Sequence, residues 1–172
     1  MPDVVMKKTN ILKLIIAVVV AGTSPLFANT LSVPSDQPAF TVDIPADWKP
    51  KADKEGVEAT QPDNHVYMAG WVVTKGDIGD LSSDLDELLK DSMKSIDEKT
   101  NEEMIENNGI KFHVWNGSGI DKREGGKVKF FVAVFSAGAG KSGIYYADYD
   151  ADAPADVMKT ITTIMNSIKL KK

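Results

Sequence analysis

Five short stretches of this 172-residue sequence carry side chains of the types that do chemistry. Ala139-Gly140-Lys141-Ser142 ends like a phosphate-binding loop, in which backbone N–H groups and a lysine cradle the phosphates of a nucleotide. The full pattern places a glycine five positions before Gly140, where Phe135 stands, and a helix after the serine, where Ile144-Tyr145-Tyr146 is strand-like. The stretch therefore reads as a glycine-rich hairpin loop. Asp148, Asp150 and Asp152 have the alternate spacing of a calcium loop. Ala153 stands where that loop needs glycine and Lys159 where it needs a bidentate glutamate, so the three read as a solvated strand end leading into a helix. His65 sits beside the turn Asp63-Asn64, and His113 alternates with apolar residues, which suits a surface or interfacial histidine. Gly117-Ser118-Gly119 lacks the spacing of a nucleophile elbow. With no cysteine there is no disulfide, thiol nucleophile or thiolate zinc site, and two histidines cannot make a His-rich metal centre. No catalytic, cofactor-binding or metal-binding residue is assigned.

The aromatic residues carry more information. Trp71, Trp115, Tyr145, Tyr146 and Tyr149 fall on predicted strands among apolar neighbours, as core and cross-strand packing requires. The alternative is a shallow aromatic groove that holds an apolar ligand or a partner segment, with Trp71, Trp115, Tyr145 and Tyr146 as its surface.

Periodicity supplies the elements that must position these residues. Phe40, Val42 and Ile44 alternate with Thr41 and Asp43 as in a half-buried strand, ended by Pro45-Ala46-Asp47-Trp48. Residues 49–55 read as a charged loop, 57–61 as a weak strand, and 66–74 as a buried one. Ser83 and Asp86 open a helix whose apolar face is Leu85, Leu88, Leu89, Met93 and Ile96. A short strand is expected around Met104-Ile105, and Asn108-Gly109 is a hairpin signal leading into Ile110, Phe112 and Val114. Gly117 and Gly119 weaken the far end of that strand, in the manner of a bulge. Residues 127–137 form the longest strand, with Val128, Phe130, Val132 and Val134 on one face and Phe131, Ala133 and Phe135 on the other. Residues 138–143 read as a turn. Pro154 opens a C-terminal helix striped with Val157, Ile161, Ile164, Met165 and Ile168, and Lys169, Lys171 and Lys172 suit its negative end. The sum is α+β: a central antiparallel sheet of about six strands flanked by an internal helix and a C-terminal helix.

The N-terminus places the protein. Met6-Lys7-Lys8 and Lys13 precede the apolar run Leu14–Ala21, a break at residues 22–25, and a small residue at Ala28. That is the three-part layout of a secretory signal peptide, and the run is too short for the ~20 apolar residues of a membrane span. Met6 is a better signal opening than Met1. Cleavage near Ala28 removes Lys7, Lys8, Lys13 and Asp3, leaving 17 basic and 24 acidic residues and a net charge of −7 in place of −5. A surplus of acid argues against nucleic acid and anionic lipid as partners. Residues 29–38 then read as a leader and 39–172 as one globular domain, a monomer or weak dimer, periplasmic or secreted.

Phe40–Trp48, with its order of strand, proline, small residue, acid and tryptophan, resembles the opening of PsbP-like and DcrB-like exported proteins. The central amphipathic helix, the long hairpin and the closing Ile164-Met165-Asn166-Ser167-Ile168-Lys169 are similar to that group as well, so the resemblance covers about residues 39–169. It implies a central antiparallel sheet flanked by helices, and an accessory, assembly or binding role. The group shares no general active site, so it assigns no functional residue here. The function expected is a non-enzymatic accessory protein that binds another envelope protein; the alternatives are a carrier of a small apolar ligand and an enzyme. The signal peptide predicts that intact-mass measurement on protein from its own host finds a 144-residue chain starting at Asn29; a mass that retains residues 6–28 removes the export reading.

Overall fold

The computed structural model describes residues 28–63, 66–74, 85, 87 and 89–171, and eleven strands order them. They are β1 (Ala28–Val33), β2 (Phe40–Pro45), β3 (Lys51–Ala52), β4 (Gly56–Thr60), β5 (Val66–Val73), β6 (Met93–Lys99), β7 (Glu103–Asn107), β8 (Ile110–Asp121), β9 (Lys127–Gly138), β10 (Lys141–Asp150) and β11 (Lys169–Leu170). Instead of one sheet of about six strands there are two. A large sheet runs β3-β4-β5-β10-β9-β8-β6, with β7 also on β8, and a small sheet runs β1-β2-β11. All pairings are antiparallel. The α+β class stands, carried by the C-terminal helix (Asp156–Asn166) and a helical stretch that includes Leu85, Glu87 and residues 89–92.

The centre is β9, buried on both faces as its sequence predicts. Phe131, Ala133 and Phe135 meet Phe40, Val42 and Ile44 of β2 together with Val157, Ile161, Ile164 and Met165 of the C-terminal helix. Val128, Phe130, Val132 and Val134 meet Leu85, Leu89 and Met93. Each fully buried side chain of this size contributes about 1.5–3 kcal/mol. The hairpin signal at Asn108-Gly109 is a real turn, with both residues at positive φ (52° and 73°), the conformation a two-residue type I′ turn needs.

Several expectations are corrected. Residues 29–33, read as part of a leader, belong to β1, which pairs with β2. The charged loop at 49–55 contains β3, which hugs β4. The helix expected to carry Ile96 stops by Met93, where the chain turns to strand. Met93 is apolar in both patterns, but beyond it the polar residues lie at the outer edge of β8 and need no helical face. Gly117 and Gly119 do not end β8. They let β6 come close, and the irregular register lies in β6, between Met93 and Ser95 and between Ile96 and Glu98. The turn expected over 138–143 is only Ala139-Gly140, so Gly143 lies inside β10. The C-terminal helix begins at Asp156, not Pro154, and Lys169 pairs with Thr41 in β11 rather than capping a helix end. Ser83, Asp86, Leu88, Lys172 and residues 1–27 of the expected signal peptide lie outside the described residues. Among the described residues no helix is long and apolar enough to cross a membrane.

A Cβ on Gly117 would stand 2.2 Å from the Glu98 carbonyl oxygen and 2.3 Å from the Phe130 ring. A backbone oxygen in a paired strand cannot step aside. Gly117→Ala is therefore expected to lower stability by about 1–3 kcal/mol, read as a lower urea midpoint with an unchanged slope.

Candidate functional site

At one end of the large sheet the apolar covering of the second face gives way to a polar cluster. Tyr146 and Asp148 are successive same-face residues of β10, and register places Tyr67 of β5 directly across from Asp148. Asp121 closes β8. Its Oδ1 accepts the backbone N–H groups of Arg123 and Glu124 at 2.6 and 2.8 Å, and Oδ2 accepts that of Gly126 at 3.3 Å. This is the local side-chain-to-backbone bonding by which aspartate builds turns. It fixes the loop so that the side chain of Arg123 crosses to Asp148.

There the guanidinium Nη2 donates to Asp148 Oδ1, while the Tyr146 hydroxyl donates to Oδ2 at 2.7 Å. Arg123 also lies over the Tyr67 ring, 4.0 Å from its centroid, a cation–π contact. The carboxylate is 5% exposed and the arginine 46%. Burial pushes the Asp148 carboxyl above the usual aspartate range, and the Arg123 charge pulls it part of the way back. Burial, reinforced by the charge of Asp148, pushes the Tyr146 phenol far up, so it stays a hydrogen-bond donor and not a nucleophile. Tyr67 is raised by burial as well.

The cluster walls a cleft of about 310 Å³ that Thr60, Tyr149, Glu124 and Asp150 also line. A second hollow of about 280 Å³, between Trp48, Lys49, Glu58 and Gln61, shares Thr60 and Tyr67 with it. Asp121, Glu124, Asp148 and Asp150 outnumber the single cation Arg123 in the first cleft, so its field disfavours anions. Both oxygens of Asp148 are engaged, and Asp121 is bound to backbone, so the arrangement clamps a loop across the sheet end. Among the described residues no group of three or more His, Asp or Glu is placed to hold a metal ion.

Of the residues singled out by sequence, Tyr146 and Asp148 belong to this cluster and Tyr149 and Asp150 line its cleft, while the others lie elsewhere. Trp115, Tyr145 and Tyr146 are buried and Trp71 is half-buried. Trp71, Trp115 and Tyr146 share the second face, whereas Tyr145 lies on the first, its hydroxyl donating to the Ile161 carbonyl at 3.2 Å. The four therefore do not line one surface. Asp148, expected to be solvated, is buried and paired; Asp150 is half-buried and Asp152 exposed. The Gly-Lys-Ser stretch is a hairpin turn running into β10. His113 is half-buried on β8, its Nδ1 paired with Glu102, and His65 lies outside the described residues. Arg123 has one signal in the sequence: it is the only arginine among twenty basic residues. Arginine is the cation suited to buried, planar pairing and ring stacking.

No protein-family model matches the sequence, and no curated protein matches it. Solved structures do. The cyanobacterial PsbP (CyanoP) from Synechocystis sp. PCC 6803 superposes with a TM-score of 0.58 over 88% of this chain and 96% of its own, at 12% identity. The fold is PsbP-like. A Pseudomonas aeruginosa protein of unknown function matches with a TM-score of 0.53 over 85% of this chain and 99% of its own, at 9% identity. A crystal structure from Bacteroides thetaiotaomicron VPI-5482 matches 83% of this chain with a TM-score of 0.54 and 12% identity, and this chain spans 47% of its length. What these likenesses establish is the fold.

Removing Arg123 strands a carboxylate in a dry site. Arg123→Met is expected to cost about 1–3 kcal/mol at pH 7, below the ~3–5 of a fully buried pair because the guanidinium is half exposed. Asp148 already titrates above its unfolded value, so its ionisation lowers stability as pH rises through the folded pKa. Loss of Arg123 enlarges that effect. Chemical unfolding should therefore find a smaller cost at pH 4 than at pH 7; an equal cost at both means that the pair is not what Arg123 supplies.

Proposed function

We propose that this chain is an exported accessory protein of the cell envelope that acts by binding another envelope protein. The observation that carries the reading is where large apolar side chains remain in water. Of the four such residues among those described, Ile96, Met104 and Ile105 all lie on β6 and β7, the strands flanking the outer side of β8. Met104 and Ile105 are adjacent on β7 while Ile96 lies farther along the same side of β8, so one sheet edge carries exposed apolar side chains at both ends, which suits contact with an extended partner. The titratable groups nearest a cleft are engaged with one another, which suits structure better than turnover. Export rests on the basic and apolar pattern of residues 6–28. The PsbP-like fold supports the accessory role by likeness alone.

Crosslinking in the native envelope followed by affinity capture of this chain tests the proposal. The expected result is one or a few proteins enriched over a control carrying an unrelated exported domain. Recovery of nothing above that control overturns it.

A further inference from the structure

The outer edge of β7 is built to receive a strand. β7 and β6 each pair only with β8, on the side away from β9, so among the described residues their far edges have no strand beside them. The two differ. Register irregularities break up the edge of β6, a common device for blocking further pairing. β7 is regular over all five residues, from Glu103 opposite Val114 to Asn107 opposite Ile110. It is also held in place, because the Asn107 and Asn108 side-chain amides each donate to the Asn166 carbonyl at 3.0 Å, at the end of the C-terminal helix.

Residues flanking a two-residue turn form a hydrogen-bonded pair, and such pairs alternate along the ladder. Asn107, Ile105 and Glu103 therefore direct their backbone groups to β8, and Glu106 and Met104 direct theirs outward. Alternation also sorts the side chains, with Glu103 and Ile105 on one face and Met104 and Glu106 on the other. Met104 is 62% exposed and Ile105 38%.

We infer that β7 is a docking edge for an extended segment of a partner protein with the pattern basic–apolar–apolar–basic. Its two cations stand across from Glu103 and Glu106, and its apolar pair covers Met104 and Ile105. Charge disfavours a second copy of this chain as the occupant. Antiparallel self-pairing centred on Met104 sets Glu102 of one copy against Glu106 of the other, twice, pairing centred on Glu106 sets that residue against itself, and like charges directly opposite are destabilising. The surroundings have the same sign, with five carboxylates against two lysines between Met93 and Asn107. One of those carboxylates, Glu102, is paired with His113. The inference rests on the accessory reading and names the chemistry of its partner.

The test uses the chain from residue 29 onward and a capped peptide, Thr-Thr-Lys-Val-Val-Lys-Thr-Thr, with a control in which both lysines are glutamate. The lysine peptide should bind at least about tenfold more tightly at low salt, with amide shifts centred on Met104 and Glu106. Glu106→Pro removes one outward N–H without touching the β8 ladder and should abolish binding, whereas Glu106→Gln should only weaken it. Glu103→Lys with Glu106→Lys should reverse the preference to the glutamate peptide. Equal binding of both peptides, amide shifts elsewhere, or full binding by Glu106→Pro overturns the assignment. Envelope crosslinking separates the two levels. If the charge-reversed variant captures the same partner as the unaltered protein, the accessory role stands and the β7 edge falls. If the peptide binds as described but no envelope partner is found, the accessory role falls and the edge chemistry stands.

Discussion

A strand with large apolar side chains on both faces cannot be left half in water, and β9 is such a strand. Phe131, Ala133 and Phe135 need one covering layer, and Phe130, Val132 and Val134 need another. One layer comes from β2 and the C-terminal helix, the other from the stretch carrying Leu85, Leu89 and Met93. These coverings are far apart in sequence and have only β9 and its neighbours in common. Phe135 shows the packing on the first face, its ring lying edge-on to Phe40 at 5.1 Å and tilted against Phe112 at the same distance. Gly143 lies across from Phe135 in β10, and a Cβ there would come within 2.3 Å of the ring. The centre of the sheet is thus filled to the point where side chains on one strand are permitted by their absence on the next.

Where β9 ends, this covering ends too, and the same face turns polar without becoming wet. Asp148 is as buried as the apolar residues before it, so it needs a counter-charge and donors to satisfy both oxygens. Arg123 and Tyr146 supply them. Because Asp121 organises the loop that carries Arg123, two buried carboxylates act in series: one shapes the backbone and the other receives the cation. The result ties the β8–β9 connection to β10 and β5 at a place where hairpin turns alone would leave it loose.

What could be read from the sequence was whatever depends on local period or on a turn residue with one conformational option. The double-faced pattern of β9, the stripe of the C-terminal helix and the Asn108-Gly109 turn are of that kind. The small sheet was hidden because β1 and β11 draw their order from β2 and have weak patterns of their own; β11 is two residues long. The passage from helix to strand at Met93 was hidden because an apolar residue at that place satisfies both periods. The polar cluster was hidden for a different reason. Tyr67, Asp121, Arg123, Tyr146 and Asp148 come from three strands and a loop, and only the register of β10 against β5 brings them together. A lone arginine among nineteen lysines was the one linear clue. The aromatic residues were conspicuous by type, yet strand alternation sends Tyr145 and Tyr146 to opposite sides of the sheet.

The small sheet has a consequence for the order of events in folding. β2 takes one neighbour from the residues just before it and the other from far along the chain, with the Thr41 hydroxyl reaching a carbonyl 128 positions away. The backbone N–H of Asp43 likewise donates to Ser167, 124 positions on. Contacts of that span close the largest loops in the molecule, and they form only after the entropy of bringing distant segments together has been overcome. β2 also covers the first face of β9, so that core stays open until residues near 170 have been made. During synthesis the second face of β9 can be covered once residues up to Tyr146 are made, whereas the first face stays open until the C-terminal helix and β11 follow.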